Sequence, residues 1–256
     1  MSNLHHSFSR IGGWPHIAVT REQFAQIMLD DCIAARNSSG SLLPKLAFSM
    51  NAQALSLTRT DKVFERAMTE ADYIQADGQS LVFASRYLSD TALPERIATT
   101  DFFHDAAKRA QREGLSFYIL GASAEQNNKS IDTIRRLYPE LKIAGHRHGY
   151  FDSSEEDEIC REIVRSGADV LWVGLGKPKE QIFCIRNIEK LKGVGWIKTC
   201  GGLFDFLSGK NRRAPLWMQS AGLEWLHRMM LDPKRLIKRN VVTNSHAIYI
   251  MLTASK

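Results

Sequence analysis

Residues 168–181 read ADVLWVGLGKPKEQ, and this stretch decides the fold class. Val170, Leu171, Trp172 and Val173 make a short apolar run that predicts a strand. Gly174 and Gly176 then turn the chain, and Pro178 stands where the first turn of a helix tolerates it. A strand that passes through a glycine turn into a helix is the building unit of a parallel sheet.

The same unit recurs on both sides. Upstream, residues 115–120 (LSFYIL) form the clearest buried strand, followed by Gly121, a short loop and a helix over about 124–137 that stops at Pro139. Residues 45–50 (KLAFSM) and 73–76 predict two more strands, with a helical stretch through Met68 between them and a helix over about 78–88 after them. Thr99, Thr100 and Asp101 offer N-caps for a helix to Arg112 that Gly114 ends, and Ser153 and Ser154 before Glu155, Glu156 and Asp157 open a capping-box helix ending at Gly167. Residues 142–148 and 194–199 supply the remaining strands, the latter running into Gly201 and Gly202. The alternation predicts an α/β fold, a Rossmann-like and mostly parallel sheet with helices on both faces. Ligands of such sheets sit at the carboxyl ends of the strands, so the candidate site is the set of loops at Asp77, Gly121, 174–179 and 201–205.

After Asn211 the pattern is helical only. Leu216, Trp217, Ala221, Leu223, Trp225, Leu226, Met229 and Met230 make a broad apolar face opposed by Glu224, His227 and Arg228, and Pro233 begins a second, basic helix. The expected division is an α/β catalytic domain over 1–208 and a helical appendage over 209–256. Charge follows the same boundary. The chain carries a net +6, yet residues 209–256 hold nine Lys or Arg against two acids, a net +7, which leaves about −1 for the rest. Such a segment suits phosphates, an anionic membrane face or nucleic acid, or is a solvated tail.

With 256 residues, 44% hydrophobic and 24% charged, the composition excludes disorder and collagen-like repeats and allows a core without disulfide or metal staples. Cys32, Cys160, Cys184 and Cys200 are scattered without a CxxC pair, as expected of reduced thiols in a cytoplasmic protein. The first fourteen residues lack the pattern of a signal peptide, and no apolar run approaches the roughly 20 residues of a membrane span.

Several residues offer chemistry. The helix start after Gly174 and Gly176, with Lys177 and Lys179, suits a phosphate, but it is neither a Walker A loop nor a full dinucleotide fingerprint, and a tight structural turn reads equally well. Asp77, in ADGQS, follows a strand directly, where a carboxylate can take a proton from a hydroxyl; Asp is also a common turn and N-cap residue. His146 and His148 alternate on one strand without a third metal ligand nearby and read as ordinary strand residues, and the acidic run Glu155, Glu156, Asp157, Glu158 suits a first helical turn. There is no Asp-x-Asp, the common metal-dependent device for holding a nucleotide sugar.

Together, many segments resemble the bacterial WecG/TagA/CpsF glycosyltransferases. They are Ser49-Met50-Asn51-Ala52, Ala76-Asp77-Gly78, Glu95-Arg96-Ile97, Tyr118-Ile119-Leu120-Gly121, Gly149-Tyr150-Phe151, Val173-Gly174-Leu175-Gly176 with Pro178-Lys179, and Phe204-Asp205-Phe206. A C-terminal string, Arg213-Ala214-Pro215, Gly222-Leu223-Glu224-Trp225, Arg228, Pro233, Arg235 and Arg239, completes the likeness, which runs over about three quarters of the chain.

The resemblance implies inverting, metal-independent transfer of a sugar from a UDP-sugar (glucose, N-acetylmannosamine or its uronic acid) to a polyprenyl-diphosphate-linked acceptor, with no cofactor. It assigns Asp77 as the base, Ser49 to the same pocket and Arg96 to donor or acceptor phosphates. Asn51, Gly121, Gly174, Gly176, Lys177, Lys179, Glu180, Gln181 and Asp205 fall among the implied substrate-binding positions, and Arg228, Arg235 and Lys238 would close over the nucleotide. The family's Pro-Lys-Gln-Glu is Pro178-Lys179-Glu180-Gln181 here, which leaves open whether Glu180 or Gln181 stands for the family glutamine, and Lys238 stands where Arg is frequent. An anionic membrane surface is the implied partner of the amphipathic appendage, on the inner face of the bacterial plasma membrane; nucleic acid is not expected, and oligomeric state is open. Two other classes compete: a nucleotide-binding oxidoreductase or regulatory Rossmann-like protein built on the Gly174 turn, disfavoured by the missing third glycine, and a basic peripheral-membrane adaptor without catalysis.

Overall fold

The computed structural model describes residues 6–38, 40–231 and 233–255, the side chains of Arg228, Lys234, Arg235, Lys238 and Arg239 excepted. A short antiparallel hairpin, β1 (Phe8–Ile11) and β2 (Trp14–Ile17), precedes α1 (Arg21–Asn37), which opens on a capping box between Thr20 and Gln23. The main sheet then takes β3 (Lys45–Met50), β4 (Tyr73–Ala76), β5 (Ser116–Gly121), β6 (Lys142–Arg147), β7 (Val170–Gly174) and β8 (Trp196–Thr199). All six run parallel, in the order β4-β3-β8-β7-β5-β6. Every residue of the interior strands β5, β7 and β8 is buried, which is why they read as mainly apolar runs, with Lys198 the exception in β8, whereas edge strand β6 has no buried residue.

The crossovers are α2 (Ala52–Thr60), α3 (Lys62–Thr69), α4 (Gln79–Leu88), α5 (Thr99–Glu113), α6 (Ala124–Leu137), α7 (Glu156–Arg165), α8 (Lys179–Asn187) and α9 (Leu203–Leu207). The helical stretch expected through Met68 is two helices. Asp61 breaks it, because its carboxylate caps α3 by accepting the Val63 and Phe64 N–H groups at 2.9 and 3.0 Å. Two apolar clusters sandwich the sheet. One gathers Phe24, Phe102, Phe103, Trp172 and Trp196 beneath α1 and α5; the other gathers Phe48, Leu120, Val173 and Ile197 with α2, α3, α7 and α8.

The last helices, α10 (Leu216–Ser220), α11 (Glu224–Leu231) and α12 (Pro233–Ala254), divide between two settings. Along α12, Ala247, Ile250 and Met251 enter the second cluster, His246 Nδ1 meets Ser56 Oγ at 2.9 Å, and Gly12 N–H donates to Ser255 Oγ at 2.7 Å. The far end of this helix is therefore seated on the α/β core. By contrast, Leu216, Trp217, Met230 and Leu231 of α10 and α11 are exposed. Among the described residues no helix is long and apolar enough to cross a membrane.

Candidate active site

The carboxyl ends of β3, β4, β5, β7 and β8 open into one cleft of about 750 Å³, a volume suited to a nucleotide-sized ligand. Each strand contributes its following loop: Asn51, Asp77, Ser123, Gly174 to Lys177, and Gly201 to Asp205. Ser49, Arg96, Thr99 and Tyr150 add to the wall, while Glu224 and Trp225 of α11 and Asn240 and Asn244 of α12 close the far side. Glycine is required at the floor. Gly121 has φ 148°, and a Cβ there would stand 2.4 Å from the Gly174 carbonyl oxygen; one on Gly174 would stand 2.6 Å from the Phe204 ring. These two positions let the ends of β5 and β7 and the start of α9 meet.

Asp77 is fixed by one oxygen and presents the other. Its Oδ1 accepts the Thr99 N–H at 2.9 Å, the first amide of α5, and its own N–H donates to the Met50 carbonyl at 2.7 Å. Asn51 Nδ2 approaches Oδ2 only at 3.4 Å, so that oxygen keeps capacity for a proton from a bound hydroxyl.

Beneath Asp77 lies a buried polar cluster. Ser49 Oγ is 2.8 Å from Thr99 Oγ1, and Lys198 Nζ donates to Ser49 Oγ at 2.8 Å and to the Thr199 carbonyl at 2.6 Å. We orient the Gln75 amide with Nε2 on the Phe48 carbonyl at 3.0 Å and Oε1 facing Lys198 Nζ at 2.8 Å and Ser49 Oγ at 2.9 Å, because both ends of the amide are then satisfied. Burial pulls the Lys198 ammonium down to about 8, against the opposing pull of Cys200, Asp77 and Glu180.

At the glycine turn the structure gives Glu180 a definite place. Its carboxylate accepts Gly176 N–H at 3.1 Å and Gly201 N–H at 3.0 Å, and so clips the loop after β7 to the loop after β8. Full burial pushes its pKa above the usual carboxylate value, opposed by Lys177, Lys198 and the two amides. The Gly176 amide, read from sequence as a phosphate donor, is thus taken by the protein's own carboxylate. Gln181 is buried and donates to Glu180 Oε1 at 3.3 Å, while Lys179 is exposed, and neither lines the cleft. The first turn of α8 rotates about 100° per residue, and of these three side chains only Glu180 reaches the cleft. Lys177 does line the cleft, and among the described residues it has no ion-pair partner.

Arg96 faces the cleft but is engaged. It donates to Glu224 Oε2 at 3.1 Å and Asp101 Oδ2 at 3.4 Å, and Arg213 binds the same two acids, Glu224 Oε1 at 2.8 Å and Asp101 Oδ1 at 2.9 Å. Two arginines and two carboxylates thereby tie α11 to α5. Burial pushes the Asp101 carboxyl up, but Arg213, Arg96 and Arg21 together hold it below the usual carboxylate range. Asp205, also in the cleft, pairs with Lys210 at 3.1 Å. The side chains of Arg228, Arg235 and Lys238 lie outside the described residues.

Ser49, Asn51, Asp77, Arg96, Gly174, Gly176, Lys177, Glu180 and Asp205 therefore come together at one cleft, and Gly121 supports it from behind. Sequence reading does not single out Gln75 or Lys198, and it takes Thr99 only as a helix cap. The available signal is a lysine inside the apolar strand WIKT. Among the described residues no three His, Cys, Asp or Glu side chains group as a metal site.

The model of the glycosyl transferase WecG/TagA/CpsF family matches residues 10–256. That match covers almost the whole chain and includes every loop of the cleft. The protein thus belongs to the WecG/TagA/CpsF family and is a glycosyltransferase of cell-surface polysaccharide assembly, working in general with a nucleotide-sugar donor and a lipid-linked acceptor.

Proposed function

We propose that the cleft transfers a sugar from a UDP-sugar to a polyprenyl-diphosphate-linked acceptor, with inversion at the anomeric carbon and without a metal ion. The observation that carries this reading is the placement of Asp77, with one oxygen pinned by α5 and the other facing a nucleotide-sized cleft. The acceptor hydroxyl gives its proton to Asp77 as its oxygen bonds the anomeric carbon, and the bond from that carbon to the UDP phosphate oxygen breaks on the opposite face. Lys177, with Arg228, Arg235 and Lys238 from the basic segment, meets the charge developing on UDP. Arg96 adds positive potential from within its pairing to Glu224 and Asp101.

The exposed Leu216, Trp217, Trp225, Met230 and Leu231 stand beside the basic segment and are read as the face that lies on an anionic membrane, on the cytoplasmic side where the lipid acceptor is presented. Membership of the family sets aside the oxidoreductase and adaptor alternatives. A mass-spectrometric assay with a panel of UDP-sugars, a short-chain polyprenyl-diphosphate acceptor and excess EDTA tests the proposal. One UDP-sugar should give a glycosylated lipid at the rate seen without EDTA. Loss of product with EDTA, restored by a divalent cation, would overturn the metal-free mechanism.

A further inference from the structure

Lys198 is fully buried in the middle of the sheet, where an ammonium group is costly unless each N–H finds an acceptor. It finds three: Ser49 Oγ, Gln75 Oε1 and the Thr199 carbonyl. The adjacent strands β4, β3 and β8 arrange this, each placing one polar side chain on the same face. Register pairs Ser49 with Gln75, and pairs Lys198 with Ala47, two residues before Ser49. From Ser49 the chain of contacts continues to the Thr99 hydroxyl and, through the Thr99 N–H, to Asp77 Oδ1.

We infer that Lys198 is a positioning residue for the base: its ammonium fixes Ser49 and Gln75, these hold Thr99 at the start of α5, and Thr99 holds the Asp77 carboxylate with one oxygen turned to the cleft. The inference rests on Asp77 being the base. Lys198 is buried and is not a cleft-lining group, so it acts through its neighbours. The charged and titratable groups around it are Asp77, Glu180, Lys177 and Cys200. With its ionisation brought down to about 8 by burial, the cluster loses its positive charge just above neutral pH.

The test is kcat against pH for the full-length wild type, Lys198→Met, Thr99→Val and the double variant Lys198→Met with Asp77→Asn, with circular dichroism to check folding. Wild-type kcat should fall above about pH 8. Lys198→Met should lower kcat about tenfold with donor KM changed less than about twofold, and should abolish the alkaline fall. Added to Asp77→Asn it should cost less than about twofold more, since both act through one group. A lysine needed only for packing would lower the melting temperature and leave the pH profile in place; that result, or a loss that multiplies the Asp77→Asn loss, would overturn the inference. Thr99→Val keeps all three acceptors of Lys198 and the backbone N–H that holds Asp77, but removes the hydroxyl that joins Thr99 to Ser49, so it should reproduce the lowered kcat and lost alkaline fall. If Lys198→Met does not fold, a wild-type profile in Thr99→Val overturns the inference on its own. Absence of transfer by the wild type from any UDP-sugar would overturn the role of Asp77 and this inference with it, whereas transfer with an unaltered Lys198→Met profile would overturn the Lys198 role alone.

Discussion

Asp77 uses its two oxygens for different ends. The N-cap position of α5 is Ala98, which has no side-chain acceptor, and Asp77 serves that helix from another strand by taking the Thr99 N–H. Asp77→Asn keeps an acceptor there and should hold stability within about 0.5 kcal/mol, while Asp77→Ala should cost about 1 kcal/mol in urea unfolding. An alanine variant as stable as wild type would contradict the capping role. In the sequence ADGQS a cap and a base are rival readings; in the structure Oδ1 takes the cap role, and the base we propose is the other oxygen of the same carboxylate. Lys198 and Glu180 show the limit of reading at this scale. Lys198 lies 149 residues from Ser49 in the chain, and Glu180 finds Gly201 only once β7 and β8 pair, so neither contact has a local sequence signal.

Among the elements, those with buried, periodic or capped sequences are the legible ones: β3, β4, β5, β7 and the helices between them fall where their apolar runs and glycine stops place them, except that the stretch between β3 and β4 is broken in two at Asp61. The β1–β2 hairpin is not, because its strands have four residues each, one contains Pro15, and two of its buried side chains, Ser9 and His16, are polar. His16 is fully buried, and its Nδ1–H donates to the Trp14 carbonyl at 3.0 Å. Burial lowers its pKa from 6.5 to about 4, against the backbone contacts. The folded value is depressed, so the stability that neutral His16 confers is present above pH 6.5 and is lost as pH falls toward 4. The loss should be on the order of 3 kcal/mol, and His16→Gln should flatten that part of the stability–pH curve in urea titrations between pH 4 and 7. Equal pH slopes for the two proteins would contradict it. The link between α11 and α5 makes a second test: a double-mutant cycle of Arg96→Gln and Glu224→Gln should give a coupling of about 1–2 kcal/mol in thermal or urea unfolding, and additivity would mean that the pairing holds nothing.

For the whole molecule, the α/β architecture is written in the alternation of apolar runs and glycine turns, and the parallel order follows from helical crossovers. What sequence could not give is the seating of α12. The basic, amphipathic pattern after residue 209 reads as an appendage, yet Ala247, Ile250 and Met251 complete the apolar cluster beside α2, because their faces meet a surface assembled from residues two hundred positions earlier. The exposed apolar side chains of α10 and α11 lie within the segment of net +7 and lead to a further prediction: binding to vesicles containing anionic lipid should weaken with salt, and Arg212→Gln with Lys234→Gln should reduce it about 30-fold, at about 1 kcal/mol per charge. Salt-independent binding would contradict the docking surface. Removal of the acceptor proton by Asp77 is the step on which the proposed transfer turns. Single-turnover transfer by Asp77→Asn, with UDP affinity measured in parallel, isolates that step: the rate should fall by about 100-fold or more at unchanged UDP affinity, and a rate near that of wild type would rule out Asp77 as the base.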